Sequence, residues 1–346
     1  MGAQAPQQGP VAIVAGMGRY LPERIVLSEW IEDRLGLPKQ FGIPHGFIEK
    51  LTGVRERRYA SAGETSSDLA AQAAEIALRQ AGITARDVDT LIFAAASHDI
   101  SEPATANLLQ QKLGAENAHV FDVKNACNSF LNALDLADAL IRLGRARSVL
   151  IAVGEVLSPT VNWRLETLEQ LELGFAALTL GDGGAAMVLT ASDDPYERRG
   201  LQTRRFFSDG SAWELAVIKF GGTLCPRDLS QSYFESRSAE LQQLALKYMP
   251  PVIEQALADV DWSMEDVDLA VPHQVSMRII QKMSRMVKLP LEKCMITLPR
   301  YGNTAAASIP IALCEAVESG QAKPHSRLLL VGGASGFSAA VLALVL

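Results

Sequence analysis

Apolar and polar positions succeed one another along the chain in blocks of helical and strand length. Thr65 stands where a helix N-cap belongs, Gly82 where a helix closes, and the spacing predicts a helix over about 67–80. Ala70, Ala73, Ala74, Ala77 and Ala81 give that helix a face of small residues. Residues 90–96 (TLIFAAA) form a short continuous apolar run, as in a strand covered on both faces. Pro103 opens a second predicted helix that ends near Gly114, and residues 120–123 read as a strand. A long helix from about Cys127 to Leu143 and a strand over 149–153 follow. This alternation predicts an α/β fold with buried sheets, preceded by a polar, frayed tail over residues 1–10.

The pattern also repeats. Ala77-Leu78 precedes Asp87-Val88-Asp89, and Ala256-Leu257 precedes Asp266-Val267-Asp268, with ten residues from Leu to Val in both. Cys127 opens a helical stretch closed 17 residues on by Gly144, and Asn303 opens one closed 17 residues on by Gly320. Apolar strands follow both, over 148–153 and 327–331. The chain therefore reads as two copies of one αβαβ unit, with Cys127 and Asn303 at equivalent places. The implied organisation is a first half over 11–192 with the cysteine, a connection with pocket elements over 193–237, and a second half over 238–346.

Composition narrows the function. Of 346 residues, 48% are hydrophobic and 21% charged, and the net charge is −7, which suits a globular protein with a sizeable core. No basic block or stripe points to nucleic acid. The longest purely apolar run, 339–346, is far below the ~20 residues that span a bilayer, and the first cation is Arg19, so neither a membrane span nor a secretory leader is expected. A cytoplasmic enzyme is the expectation. Cys127, Cys225, Cys294 and Cys314 are too scattered for a disulfide framework or a metal site, and no nucleotide or metalloprotease motif is present.

Cys127 stands where a strand turns into a helix (Asp-Val-Lys-Asn-Ala-Cys-Asn-Ser-Phe). The positive end of the helix dipole favours its thiolate, and its own N–H is an oxyanion donor, whereas a lone cysteine without such a setting is an ordinary buried residue. His273 ends an apolar run in Val-Pro-His-Gln, a place for a polar group over a pocket or for a structural histidine. Asn303, in Tyr-Gly-Asn-Thr-Ala-Ala-Ala-Ser, reads as a helix cap or as a ligand contact. Gly332-Gly-Ala-Ser-Gly-Phe is a tight turn or a set of backbone donors, and Gly181-Asp-Gly-Gly a structural turn.

In these words and this order, Cys127, His273 and Asn303 resemble the thiolase-fold condensing enzymes, above all β-ketoacyl-ACP synthase III. The resemblance takes in Arg19-Tyr-Leu-Pro-Glu, Thr52-Gly-Val-Arg-Glu-Arg and the glycine-rich C-terminal loop, nearly the whole chain. It implies a thiolase-like five-layered αβαβα sandwich of two duplicated halves, a homodimer, and an acyltransferase that works on acyl-CoA or acyl-ACP thioesters without metal or other cofactor. Cys127 is then the acyl-accepting nucleophile. His273 and Asn303 polarise the second thioester's carbonyl, and the N–H groups of Cys127 and the Ser335-Gly336 region hold the oxyanion. Arg278 and Arg55 fall at carrier-docking positions, and Phe47 replaces a tryptophan that stacks on the CoA adenine. Asn128 and Ser129 depart from the small residues usual after the cysteine. The words around Glu102-Pro103, with Asn125-Ala-Cys127 and His273-Gln-Val-Ser, are similar to the olefin-biosynthesis thiolase and to head-to-head polyketide-joining synthases. There a glutamate at this place acts as base in the partner subunit. The expected reaction is a Claisen condensation of two acyl or β-ketoacyl thioesters in specialised polyketide or fatty-acid metabolism, without obligatory decarboxylation. The alternatives are a decarboxylating synthase III that uses malonyl-ACP, and a degenerate scaffold that only binds a partner.

Overall fold

The computed structural model describes residues 9–346; the expected N-terminal tail lies almost wholly outside them. The first half runs β1 (Val11–Tyr20), α1 (Phe47–Thr52), α2 (Ser66–Ala81), β2 (Thr90–Ala94), α3 (Thr105–Leu113), β3 (His119–Val123), α4 (Ser129–Arg142), β4 (Ser148–Glu155), α5 (Leu168–Gly174) and β5 (Gly183–Ser192). The second runs β6 (Gly200–Ser208), α6 (Ser238–Ala258), β7 (Leu269–Pro272), α7 (Met277–Met286), α8 (Ser308–Glu318), β8 (Arg327–Ala334) and β9 (Ser338–Val345). The two larger sheets have the orders β1-β5-β4-β2-β3 and β7-β8-β9-β6. Helices α4 and α8 lie between them, α2 covers the outer face of the first and α6 that of the second. These are the five layers that the resemblance implies.

Local chemistry builds each copy. Thr65 and Asp68 close a capping box on α2, and Gly82 ends it in the left-handed conformation. The alanine face then lets α2 lie on the sheet almost backbone to backbone. A Cβ on Gly18 would stand 2.2 Å from Ala73 O, and one on Gly184 2.2 Å from Leu69 O. In the repeated Asp-Val-Asp words the first aspartate completes a capping box, Asp87 with Thr84 and Asp266 with Ser263. The second receives a backbone N–H from the neighbouring parallel strand, Asp89 from Ser148 (3.0 Å) and Asp268 from Arg327 (2.7 Å).

Three expectations are corrected. Gly200–Ser208 lies within the stretch read as connection, yet it is the edge strand of the second sheet, paired with β9; as an edge strand it carries exposed charge and lacks the apolar run of a central strand. Helix α4 begins at Ser129 rather than Cys127. The repeat equivalence also moves. Ala126 and Ala305, both at φ 45°, precede the first residues Ser129 and Ser308 of α4 and α8 by three positions, so Ala306, not Asn303, is the counterpart of Cys127. Counting back from the closing glycines misplaces the start because α8 has 11 residues and α4 has 14.

Candidate active site

Cys127 sits in a turn held by its neighbours. Ser129 Oγ donates to Ala126 O (2.7 Å) and receives Asn125 N–H (2.8 Å), while Asn125 Nδ2 donates to Asn132 Oδ1 (2.7 Å). Asn128 Nδ2 donates to Ser338 O (3.1 Å) and to its Oγ (2.9 Å), which ties the Cys127 turn to β9 of the other half. Gly332 makes room for that side chain, since a Cβ there would stand 2.2 Å from Asn128 Oδ1. The unusual Asn128 and Ser129 are thus scaffolding for the turn.

His273 follows the last residue of β7, buried, with its N–H on Val331 O (2.8 Å) and Nδ1 2.6 Å from Ser308 Oγ. Burial pulls its imidazole down to about 4, so the ring is neutral at ordinary pH. Asn303 bridges to the first half through its N–H on Thr179 O (2.8 Å) and its O under Gly181 N–H (3.0 Å). Its Oδ1 takes Ala305 N–H at 2.9 Å, which leaves the amide nitrogen as its free donor. All three residues border one cavity of about 320 Å³ that Ser335 also lines. Gly336 belongs to the same β8–β9 turn, with φ 74°.

The thiol is not activated at rest. Burial first, and Glu155 second, push Cys127 up to about 12. The helix-terminus contribution, typically ~0.3–1 kcal/mol, is too small to reverse this. The sequence expectation of a lowered value is therefore overturned by desolvation, and a neutral thiol and a neutral imidazole line the same cavity.

Glu155 went unnoticed in the sequence. It ends β4 wholly buried. One carboxylate oxygen accepts Ala96 N–H (2.8 Å) and Ala306 N–H (3.2 Å); the other accepts Ser97 N–H (3.0 Å) and Ser97 Oγ–H (2.7 Å). It joins the loop after β2 to the turn that carries Asn303, and burial raises its carboxyl to about 7. The signal was present, for Glu155 closes an apolar strand as His273 does. Arg57 was missed too. It is fully buried, donates to Val26 O, Ser28 Oγ and Leu178 O, and ties the segment before α1 to the stretch after α5. Asp182 accepts Ala60, Leu157 and Ser158 N–H groups and the Ser158 hydroxyl, a structural role as its turn suggested.

The remaining candidates lie apart from Cys127. Arg278 is exposed at the cavity's border, on a helical face with Lys282 and Arg285. Phe47 does not line the cavity but packs edge-on against Phe175, which does (5.7 Å between centroids). Arg55 is exposed, 3.8 Å from Glu56 and away from the cavity. Glu102 is exposed on the loop between β2 and α3, likewise outside this chain's own cavity.

Comparison with known proteins gives the chain a family. Residues 121–210 match the profile of 3-oxoacyl-[acyl-carrier-protein (ACP)] synthase III, and residues 257–346 that of its C-terminal part. A β-ketoacyl-[acyl-carrier-protein] synthase III of Clostridium perfringens is 37% identical over 94% of this chain and 97% of its own length. The chain belongs to the β-ketoacyl-ACP synthase III family. It is a carbon–carbon bond-forming acyltransferase of the thiolase fold. The crystal structure of the Aquifex aeolicus 3-oxoacyl-[acyl-carrier-protein] synthase III matches with a TM-score of 0.85 and 31% identity, covering 97% of this chain and 100% of that one. OleA of Xanthomonas campestris, in a structure with bound lauric acid and lauroyl-CoA, matches with a TM-score of 0.87 and 27% identity, covering 97% and 99%. No helix among the described residues is long and apolar enough to cross a membrane.

Proposed function

We propose that this synthase joins two acyl thioesters by Claisen condensation through an acyl-Cys127 intermediate, without requiring decarboxylation. The observation that carries the reading is the meeting of Cys127, His273 and Asn303 on one cavity from three separate segments. Acyl transfer moves the acyl group from the incoming thioester sulfur to Cys127 Sγ. The thiol proton goes to the departing thiolate, which leaves as the free thiol. N–H groups of Cys127 and of the Ser335-Gly336 turn hold the oxyanion. In the second half-reaction a carbanion at the α-carbon of the second thioester attacks the acyl-enzyme carbonyl and expels the Cys127 thiolate. Ser308 Oγ, which receives Gln274 N–H at 3.5 Å, gives its own hydrogen to His273 Nδ1. The ring then presents Nε2–H, beside Asn303 Nδ2, to the developing enolate oxygen. The thioesters supply the activation, and the reading invokes no metal or redox group.

The α-proton needs a base unless carbon dioxide is lost instead, and we assign that role to Glu102 of a second copy. Strand β3 is the free edge of the first sheet, with Val120, Phe121 and Val123 only partly covered. Pairing of two copies along this edge would carry the neighbouring Glu102 loop towards the other subunit. The exposed Arg278, Lys282 and Arg285 on α7, on a chain of net charge −7, suit an acidic acyl carrier at the cavity mouth, with the pantetheine arm reaching inward. Likeness to an OleA structure that holds lauric acid and lauroyl-CoA supports long-chain donors.

The test supplies purified enzyme with pairs of acyl-CoA or acyl-ACP donors, or with one acyl donor and a malonyl donor. The expected product is a β-keto compound from two non-malonyl donors, with the acyl adduct mapped to Cys127. Product only with malonyl donors would move the assignment to the decarboxylating synthase, and absence of any adduct would leave a binding scaffold.

A further inference from the structure

The cavity continues beyond the three polar groups into the layer between the second sheet and its outer helices. Strand alternation on β8 sorts its residues. Leu328 and Leu330 join the core around the central helices, whereas Leu329 and Val331 join the core under α6. Gly333 shares the face of Val331, and both border the cavity. Facing them are Ala245 and Met249 of α6 and Ile280 and Met283 of α7. This arm is apolar and opens onto the Cys127 site.

Two adjacent glycines on β8 answer to opposite needs. Gly332 is required by close approach, with Asn128 Oδ1 2.2 Å and Leu131 Cδ1 2.7 Å from the place of a Cβ. At Gly333 an added Cβ would meet no heavy atom within 4 Å, and its φ is outside the left-handed region. Neither packing nor backbone conformation calls for glycine there, and a glycine inside a strand weakens it. What it leaves is open volume in the floor of the arm. We infer that the space over Gly333, between β8 and helices α6 and α7, receives the alkyl chain of one of the two acyl thioesters, and that the missing side chain at 333 sets how long that chain can be. The inference rests on the condensing reading above and names its chain-length determinant. Met249 and Met283 suit such a wall because an unbranched thioether side chain adapts to chains of different length.

The experiment compares Gly333→Ala, Gly333→Val and Gly333→Leu with wild type, using acyl-CoA donors from acetyl to tetradecanoyl. Intact mass reads the Cys127 adduct, and chromatography reads the condensation product. Short donors, which also report on folding, should react within about twofold of wild type in every variant. Long donors should lose roughly 10-fold or more in the leucine variant, since a single methylene excluded from an apolar pocket already costs about 10–200-fold, with alanine and valine graded between. A shift in the adduct profile assigns the arm to the chain on Cys127; a shift in the product profile alone assigns it to the second donor, and either supports the inference. An unchanged profile in both readouts, or an equal loss at all lengths across the three variants, overturns it while wild type remains active. Wild-type enzyme that forms no adduct overturns the condensing reading itself.

Discussion

Glu155→Gln separates the two things that this buried carboxyl does. In the native state its value is raised from 4.5 to about 7 by burial, partly offset by the N–H and hydroxyl donors around it. That difference corresponds to ~3 kcal/mol between the protonated and ionised forms. The native state therefore binds the proton more tightly than the unfolded chain. Between about pH 4.5 and 7 the unfolded state holds fewer protons, so this group's contribution to stability is full at low pH and falls as pH rises through the native value. Glutamine cannot titrate. It also has one acceptor oxygen where the carboxylate has two, so one set of donors, from Ala96 and Ala306 or from Ser97, loses its partner at a cost of about 1–3 kcal/mol. Urea unfolding of both proteins at pH 5, 6, 7 and 8 should show wild type the more stable at pH 5, with the gap narrowing by ~2.5 kcal/mol by pH 8. Because ionised Glu155 helps hold the Cys127 thiol up, iodoacetamide should label Cys127 faster in the variant than in wild type at pH 8, and the ratio should shrink towards pH 6. A stability gap that stays constant or widens from pH 5 to 8 would refute the argument.

His273→Ala and Asn303→Ala should retain self-acylation of Cys127 by intact mass yet lose condensation by about 10²–10³-fold, the typical worth of one oxyanion donor; product formation at the wild-type rate would remove both from the second half-reaction. Glu102→Gln should lose condensation of non-malonyl donors by ~10²–10⁴-fold, keep acylation and leave malonyl donors much less affected. Mixing it with Cys127→Ala should restore product in heterodimers, and no restoration would argue against a base supplied across the subunits. Charge reversal at Arg278 (Arg278→Glu) should raise the KM for an acyl-ACP donor ~2- to 5-fold, as exposed ion pairs allow, and leave acyl-CoA unaffected; equal effects on both donors would take Arg278 out of carrier docking.

Much of this protein is written in short-range sequence signals. The α2 helix, its Thr65 cap and its Gly82 stop come from residues a few places apart, and the structure starts and ends that helix within one residue of the predicted bounds. The repeated Asp-Val-Asp words announced the duplication for the same reason, because each builds a local capping box and meets the next parallel strand. Cys127, His273 and Asn303 could be singled out because each stands where an element begins or ends, and polar groups are kept at such places to face a pocket.

What the chain could not disclose locally depends on partners distant in sequence. Strand β6 hid because an edge strand needs only one covered face, and its pairing with β9 spans more than a hundred residues. The true counterpart of Cys127 is Ala306, which emerged only when the backbone turns before α4 and α8 could be matched, because three residues lost from α8 shift any count made from its end. Arg57 looks like an ordinary charge until Val26, Ser28 and Leu178 are brought around it, and the donors to Glu155 come together from the loop after β2 and the turn before α8 only in the fold. The direction of the Cys127 value follows the same rule. The helix dipole is a local property and reads out from position, whereas desolvation is a property of everything packed around the thiol, and in this fold desolvation is the larger of the two.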